Sequence, residues 1–398
     1  MKDAILASPV GRVWAEMRKR QFHDAYRRRR EDYARRAEAQ GLRYDREQSV
    51  VAIRKRIADR GWTVTPRRTG EIHTFCFLPL YSWHPDLLQE LQRLGPVTHF
   101  DYQTRGYQWA DFFYGGEKGR EARRRMNAEV MPALRAAHKE RPVDLVYVYA
   151  NGLEIAASTI RAITEELGIP TVNMCLDDKN SWEAQHMGDH RAGQVDIGSS
   201  FDLSWTSARV ACEWYLVEGA RPIYLPEGFN PNVYAPTGVA KDIPISFLGA
   251  AYGFRRSMAA YLKRHGVPLR TFGHGWSGDS YAKSPADVFN RSIINLGNGG
   301  ISYSDILTNV KGRDFDVPGT GGGMYLTSYN ADLAQHFVLG EEIVCYSSRD
   351  EMLELIRHYL KHTDEAEAIA RRARDRSLRE HQWLHRFETI CRIVGILE

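Results

Sequence analysis

Long apolar runs are missing from this chain. None approaches the length of about 18 residues at which a stretch becomes a candidate membrane-spanning helix, and the N-terminus lacks the apolar core of a signal peptide. Paired cysteines are missing too. The five present, at positions 76, 175, 212, 345 and 391, are odd in number and form no CxxC, which argues against a disulfide framework or a zinc site. They read as small apolar core residues. A strong net charge is also lacking, since 54 Lys and Arg stand against 50 Asp and Glu, leaving +4. These absences describe a cytoplasmic globular protein. At 398 residues with 43% apolar composition, it is long enough for two or three domains of roughly 150 residues each.

What charge there is lies at one end. Residues 1–70 hold 19 basic and 9 acidic side chains, a net of +10, so the rest of the chain is at −6. This segment reads as helical, with Phe22, Tyr26, Tyr33 and Ala37 on one face, and Val50, Ile53 and Ile57 repeating the pattern in a second helix. Between them "YRRRRED" reads as a solvated helix face on the protein's own flank. A peripheral contact with an anionic membrane or a protein is its other use, since each Lys or Arg near such a membrane contributes about 1 kcal/mol. No nucleic-acid partner is expected, because a lone arginine run brings no reading element.

From residue 71 the texture changes. "IHTFCFLPL", "VTHFDY", "PVDLVYVYANG" and "IPTVNMCLDD" are short apolar runs, separated by segments such as "HPDLLQELQRLG" and "LEIAASTIRAITEELG" with helical spacing. Strands alternating with helices predict a parallel sheet covered on both faces. After the Pro/Gly-rich "GARPIYLPEGFNPNVYAPTG", which reads as a linker, a second alternation begins at "DIPISFLGA" and runs through "RDEMLELIRHYLKH". The expected architecture is therefore α/β, with a basic helical extension over 1–70, one Rossmann-like domain over 71–238, a second over 239–380, and a C-terminal helix in 381–398. Ligands of such sheets bind at the carboxyl ends of strands, and a cleft between two such domains is the natural site.

One stretch of the second domain stands out. "KGRDFDVPGTGGGMYLTS" places Gly319, Gly321, Gly322 and Gly323 within five positions. A linker does not suit the middle of a domain. A structural turn remains open beside the preferred reading, a backbone cradle for a diphosphate or sugar, since glycine lets N–H groups approach an anion closely. No Gly-Lys-Ser/Thr follows and no GxGxxG is present, so neither a Walker loop nor a dinucleotide fingerprint is formed. "DFD" also reads as a DxD metal-binding motif, a reading that suits a single-domain fold rather than a chain of two.

Residues 311–387 resemble the C-terminal domain of CgeB-type glycosyltransferases of the two-domain GT-B fold. The matching positions are Arg313, Phe315, Asp316, Pro318, Gly321–Gly323, Gly340, Glu342, His381 and Arg386. "ISFLGAAYGFRRSMAAYLKRHGVPLRTFGHGW" is similar to the family's first strand, paired arginines and Gly-x-Gly-Trp, and "FDLSWTS" and "YLPEGFNPNVY" resemble its inter-domain region. The likeness covers roughly residues 71–398 and leaves 1–70 unexplained. It implies a metal-independent transferase using a nucleotide diphosphate sugar, UDP-type by prior, with no cofactor. In related GT-B enzymes the acid five residues before the glycine accepts hydrogen bonds from the nucleotide ribose. That acid is usually Glu; here it is Asp316, one methylene shorter. Arg255, Arg256 and Arg313 are candidates for the diphosphate, and Gly273, Gly275 and Trp276 of "GHGW" for the base or sugar. "NLGNGG", residues 295–300, is a further glycine loop at a strand end.

An inverting transferase also needs a base. Candidates follow the strands of the first domain: His84, Glu154, Asp177, Asp178, His186 and His190, with the resemblance favouring Asp177–Asp178. A retaining mechanism needs none of them. Closure of the two domains would limit donor hydrolysis. Two other readings stay open: a non-catalytic binding or assembly protein that keeps the fold, and a sugar-nucleotide epimerase that works without an acceptor.

Overall fold

The two alternations fold into two parallel sheets. The computed structural model describes residues 9–81, 84–114, 116–183, 185–187, 190–276, 284–301, 304 and 307–398. Its chain forms two compact units, one of Arg29–Pro226 with Trp383–Glu398, the other of residues up to Arg28 with Glu227–Gln382.

In the first unit, β1 (Thr74–Phe77), β2 (Val97–Phe100), β3 (Leu145–Val148) and β4 (Thr171–Cys175) are followed by a small antiparallel pair, β5 (Gln185–Met187) and β6 (His190–Ala192). Then come β7 (Leu203–Thr206) and β8 (Pro222–Tyr224). The six-stranded sheet runs β2-β1-β3-β4-β7-β8, parallel throughout. Successive side chains of a strand face opposite ways, and both faces of this sheet are covered. Cys76 and Leu78 pack with Leu87 and Leu91 of helix His84–Gln92 and with Trp383, Phe387 and Ile390 of the C-terminal helix Trp383–Val394. Phe75 and Phe77 pack with Met126, Val130 and Leu134 of helix Gly116–Glu140 and with Ile160 and Ile163 of helix Ala157–Glu166.

The N-terminal segment is not an appendage. Helix Arg46–Ala58, capped by the Asp45 carboxylate accepting from Gln48 N–H, adds Ile53 and Ile57 to the first of these cores. Burial of such side chains is worth about 1.5–3 kcal/mol each. Arg56 and Arg60 both bind the buried Asp202, so part of the basic character expected at the surface is used inward. The long helix Pro9–Ala39 buries Tyr26, Tyr33 and Ala37. Tyr33 donates to Glu218 at 2.8 Å and accepts from the Trp182 indole at 2.9 Å.

The second unit holds β9 (Ile243–Leu248), β10 (Leu269–Phe272), β11 (Ser292–Leu296), β12 (Met324–Ser328) and β13 (Val344–Tyr346). Their order is β10-β9-β11-β12-β13, again all parallel. Met258 and Leu262 of helix Phe254–Arg264 and Met352 and Ile356 of helix Arg349–Tyr359 cover one side of the sheet. The stretch expected to be a linker instead contributes Phe229 and Tyr234 to a core with Phe289, Phe315 and Phe337. Two aromatic rings that bury themselves cannot stay in a solvated tether, and the division of the chain accordingly falls at Pro226.

Candidate functional site

In the five-stranded unit, chemistry gathers at the carboxyl ends of the strands. β9 is followed by Gly249, whose N–H donates to Phe272 O at the end of β10. Gly249 has φ +153°, and a Cβ there would lie 2.9 Å from an Arg313 Nη and 3.3 Å from an Arg255 Nη. Two guanidinium groups therefore converge on the tip of β9. Arg255 comes from the start of helix Phe254–Arg264, and Arg313 from the start of helix Arg313–Thr320. Both lie against the Phe247 ring, at 5.6 and 5.5 Å, and Arg255 lies over Tyr252 at 4.3 Å. Arg255 is 5% exposed. It donates to Ala250 O at 3.1 Å, while its buried Nε has no partner. Burial, then repulsion from Arg313, pulls its pKa down to about 10. Among the described residues, no carboxylate forms an ion pair with Arg255 or Arg313.

Arg256 plays a different part. It donates to Ala251 O and Gly275 O, both at 2.9 Å, and so braces the loop after β9 against the turn after β10. The "GHGW" residues serve the same junction. Gly273 has φ +118°, and a Cβ there would stand 2.8 Å from the Gly249 backbone. Gly275 also has positive φ, and the Trp276 indole donates to Gly249 O at 2.8 Å.

The glycine run does not lie at this edge. Gly319 is inside helix Arg313–Thr320, Gly321 ends that helix with φ +65°, and Gly322 and Gly323 lead into the amino end of β12. A Cβ would meet the Phe229 ring at 2.3 Å from Gly319, Asn290 at 2.6 Å from Gly322, and Ser292 O at 2.1 Å from Gly323. Gly321 is closed off by the Arg374 side chain at 2.8 Å. These glycines are required by close packing, so the cradle expected here gives way to a structural turn. Gly322 and Gly323 border a cavity of about 170 Å³ with Lys241 and Glu367, at the amino ends of the strands.

The acids of "DFD" separate. Asp314 is buried, accepting from Lys311 N–H at 2.8 Å and from the Tyr325 hydroxyl at 2.6 Å, and burial raises its pKa. Asp316 is partly buried. Its Oδ2 lies 3.6 Å from the position a Gly312 Cβ would take, and Glu227 Oε2 lies 2.8 Å from the same point. Glu227 was not singled out from the sequence. Its only signal was its place in "YLPEGF". Among the described residues, no three His, Cys, Asp or Glu side chains are grouped to hold a metal ion.

Beside this edge lies an open cavity of about 420 Å³, lined among others by Phe254, Asn298, Thr308, Tyr329, Tyr346 and Arg349. "NLGNGG" forms part of its wall. The Asn298 amide donates to the Tyr346 hydroxyl at 3.2 Å, and that hydroxyl donates to Gly297 O at 2.9 Å.

In the six-stranded unit the base candidates divide. Asp178 is fully buried, accepting from the Thr206 hydroxyl and from the Tyr215 hydroxyl at 2.7 Å. Burial pushes its pKa up to about 6. It ties β4 to β7 and to helix Ala211–Val217, so of the favoured pair only Asp177 is exposed. His84 is also buried, its Nδ1 2.5 Å from Pro79 O and its ring 4.3 Å from that of Tyr81; burial lowers its pKa. Glu154 accepts from the Tyr102 hydroxyl at 2.8 Å and from Asn151 N–H at 3.0 Å, and burial raises it to about 7. Tyr81 is 47% exposed, and burial, then the charges of Glu154 and Asp177, push its pKa up to about 12. His186 and His190 lie in β5 and β6, and their side chains fall outside the described part.

Residues 255–392 match a family described as glycosyl transferase-like. Among solved structures, the chain is similar to Anabaena HepE in complex with UDP and glucose, with a TM-score of 0.51 and 13% identity over 82% of this chain and 100% of that one. It is similar to sucrose-phosphate synthase from Thermosynechococcus elongatus, at 0.51 and 11% over 81% and 98%. It is likewise similar to the UDP-forming α,α-trehalose-phosphate synthase from Burkholderia vietnamiensis, at 0.50 and 13% over 82% and 100%. No match was found among curated protein sequences. At such identities the likeness speaks for the fold, which is that of the GT-B glycosyltransferases.

Proposed function

We propose that this chain is a glycosyltransferase of the CgeB type that takes a nucleotide diphosphate sugar, UDP-type, and passes the sugar to a hydroxyl acceptor. The observation that supports it most is the pair of guanidiniums at the tip of β9. Arg255 and Arg313 bring two positive charges together, Arg255 buried and Arg313 half-buried, and among the described residues no carboxylate forms an ion pair with either. Buried charges are ordinarily paired, and a diphosphate supplies the missing anion. In the reaction, the bond from the anomeric carbon to the β-phosphate oxygen breaks as the acceptor oxygen bonds to that carbon. The electron pair stays on the leaving diphosphate, where both arginines offset the charge as it develops.

Asp316 is assigned to the ribose hydroxyls, with Glu227 as a second carboxylate beside it. Hydrogen bonds to a charged group contribute about 1.5–3 kcal/mol each, so a carboxylate on two vicinal hydroxyls is a substantial part of nucleotide affinity. An inverting transfer would pass the acceptor's proton to a base, for which Asp177, Glu154 and His84 are the candidates, and a retaining one would need none of them. The Anabaena protein of similar fold was solved in complex with UDP and glucose, and the Burkholderia one is described as UDP-forming, which favours uridine.

The test is turnover. The purified chain is incubated with UDP-sugars, with and without candidate acceptors, and both UDP and the sugar product are followed by mass spectrometry. Acceptor-dependent release of UDP supports the reading, and Arg313→Ala should abolish it. Epimerised donor without acceptor would identify an epimerase instead, and UDP binding without any turnover would identify a binding protein.

A further inference from the structure

The N-terminal helix Pro9–Ala39 lies outside the matched family region, and its first part, through Arg28, groups with the five-stranded unit. One of its side chains reaches Ser304, in the chain that follows β11. His23 Nε2 is 2.7 Å from Ser304 Oγ, across 281 positions of sequence.

Ser304 is fully buried and lies in sequence between the bridged residues Gly300 and Thr308. Its Oγ accepts from Leu307 N–H at 2.8 Å, and its N–H donates to Ile301 O at 2.8 Å. Ile301 N–H donates to Leu307 O at 3.0 Å, Gly300 pairs with Thr308, and Asn309 N–H donates to Gly299 O at 3.0 Å. Residues 299–301 and 307–309 are thus tied to each other at several points, and Ser304 is bonded to both stretches. Asn298 and Thr308 line the cavity of about 420 Å³. Lys311 Nζ donates to Gly300 O at 2.6 Å, two residues before Arg313. The packing is tight, since a Cβ on Gly300 would stand 2.5 Å from Ser304 O and 2.6 Å from the Phe254 ring. A shift of Ser304 therefore reaches the cavity wall and the start of the Arg313 helix.

We propose that the N-terminal helix is a working part of the donor site, with His23 a positioning residue that holds Ser304 and so fixes the chain segment walling the cavity. The serine hydroxyl either donates to the ring nitrogen or accepts its proton, and each arrangement gives the same tether. The role in donor binding rests on the function proposed above. The tether itself does not.

The experiment uses the full chain with His23→Ala, His23→Gln, Ser304→Ala and the double variant, followed by hydrogen exchange and by calorimetric titration with UDP. Glutamine can place an amide where the ring nitrogen was. His23→Ala is expected to speed exchange at Ile301, Leu307 and Asn309 while leaving the amides of β9 and β12 unchanged, and to weaken UDP about three- to tenfold, the range of one hydrogen bond. His23→Gln restores both readouts, and the double variant is no worse than either single one. A contact that only supports the fold would lower the thermal midpoint and leave UDP affinity in the folded protein unchanged. Unchanged exchange in His23→Ala overturns the tether. Faster exchange with unchanged UDP affinity overturns its role at the donor site. Faster exchange in a chain that binds no nucleotide upholds the tether and overturns the donor reading instead.

Discussion

Replacing Arg255 by Met separates stability from binding. Arg255 is protonated at pH 7 in both the folded and unfolded chain, but in the folded chain its pKa falls from the usual 12.5 to about 10. The charge therefore opposes folding at every pH below about 10, by about 3 kcal/mol. Methionine keeps most of the apolar stem against Phe247 and Tyr252 and removes the charge. It also removes the hydrogen bond to Ala250 O, worth about 1 kcal/mol. The ligand-free variant should then be at least as stable as the parent, by up to about 2 kcal/mol, or a few degrees in thermal midpoint for a unit of this size. UDP should act oppositely. At 100 times its dissociation constant it stabilises the parent by about 2.7 kcal/mol, and loss of a charge-assisted contact of about 1.5–3 kcal/mol should remove most of that gain. Thermal unfolding of both proteins with and without UDP reads both effects. A variant that unfolds several degrees lower yet keeps the full UDP shift would refute the reasoning, because Arg255 would then be a structural brace.

The two kinds of glycine should behave differently. Gly323→Ala drives a Cβ into Ser292 O and should lower stability by more than about 2 kcal/mol, read by denaturant unfolding, without changing the UDP affinity of the folded fraction. Gly249→Ala should displace the Arg313 guanidinium and weaken UDP at least tenfold by calorimetry. Asp178 has a raised folded pKa of about 6, so it favours folding when protonated. The parent should lose up to about 3 kcal/mol as pH rises from about 4 to about 6, and Asp178→Asn should show no such loss in unfolding measured across that range. Glu154 has the same sign over a window ending near pH 7, and if it is the base, kcat should rise with its deprotonation and vanish in Glu154→Gln. Ile53→Ala should cost about 2–5 kcal/mol, showing by chemical unfolding that residues 46–58 belong to the core.

The sheets were legible because buried parallel strands read as short apolar runs between helical spacings, and "TFCF" and "VNMC" are strands where those runs stand. Arg255 stood out because it follows the strand "ISFLGA" and Arg313 because it matches the family resemblance, and the structure places both guanidiniums at the tip of β9. The glycine run was not, for a physical reason. Missing Cβ atoms look the same in sequence whether a ligand or the protein's own backbone fills the space, and here Ser292 O and the Phe229 ring fill it. Asp177 and Asp178 are adjacent and alike on paper. Only the Thr206 and Tyr215 hydroxyls, 28 and 37 positions from Asp178, decide that it is the buried one. "YRRRRED" is largely the exposed helix face that its charges suggest, with Arg27, Arg28, Arg30 and Glu31 exposed, whereas the inward use of Arg56 and Arg60 was not legible, because Asp202, which takes both, lies more than 140 positions away.

The most direct test of a donor site at the tip of β9 is calorimetric titration of UDP, with EDTA present, into the parent protein and Arg313→Ala. The parent should bind UDP at a single site that Arg313→Ala weakens at least tenfold, about 1.4 kcal/mol or more. Equal affinity in the two proteins, or no binding of UDP at millimolar concentration by the parent, would contradict it.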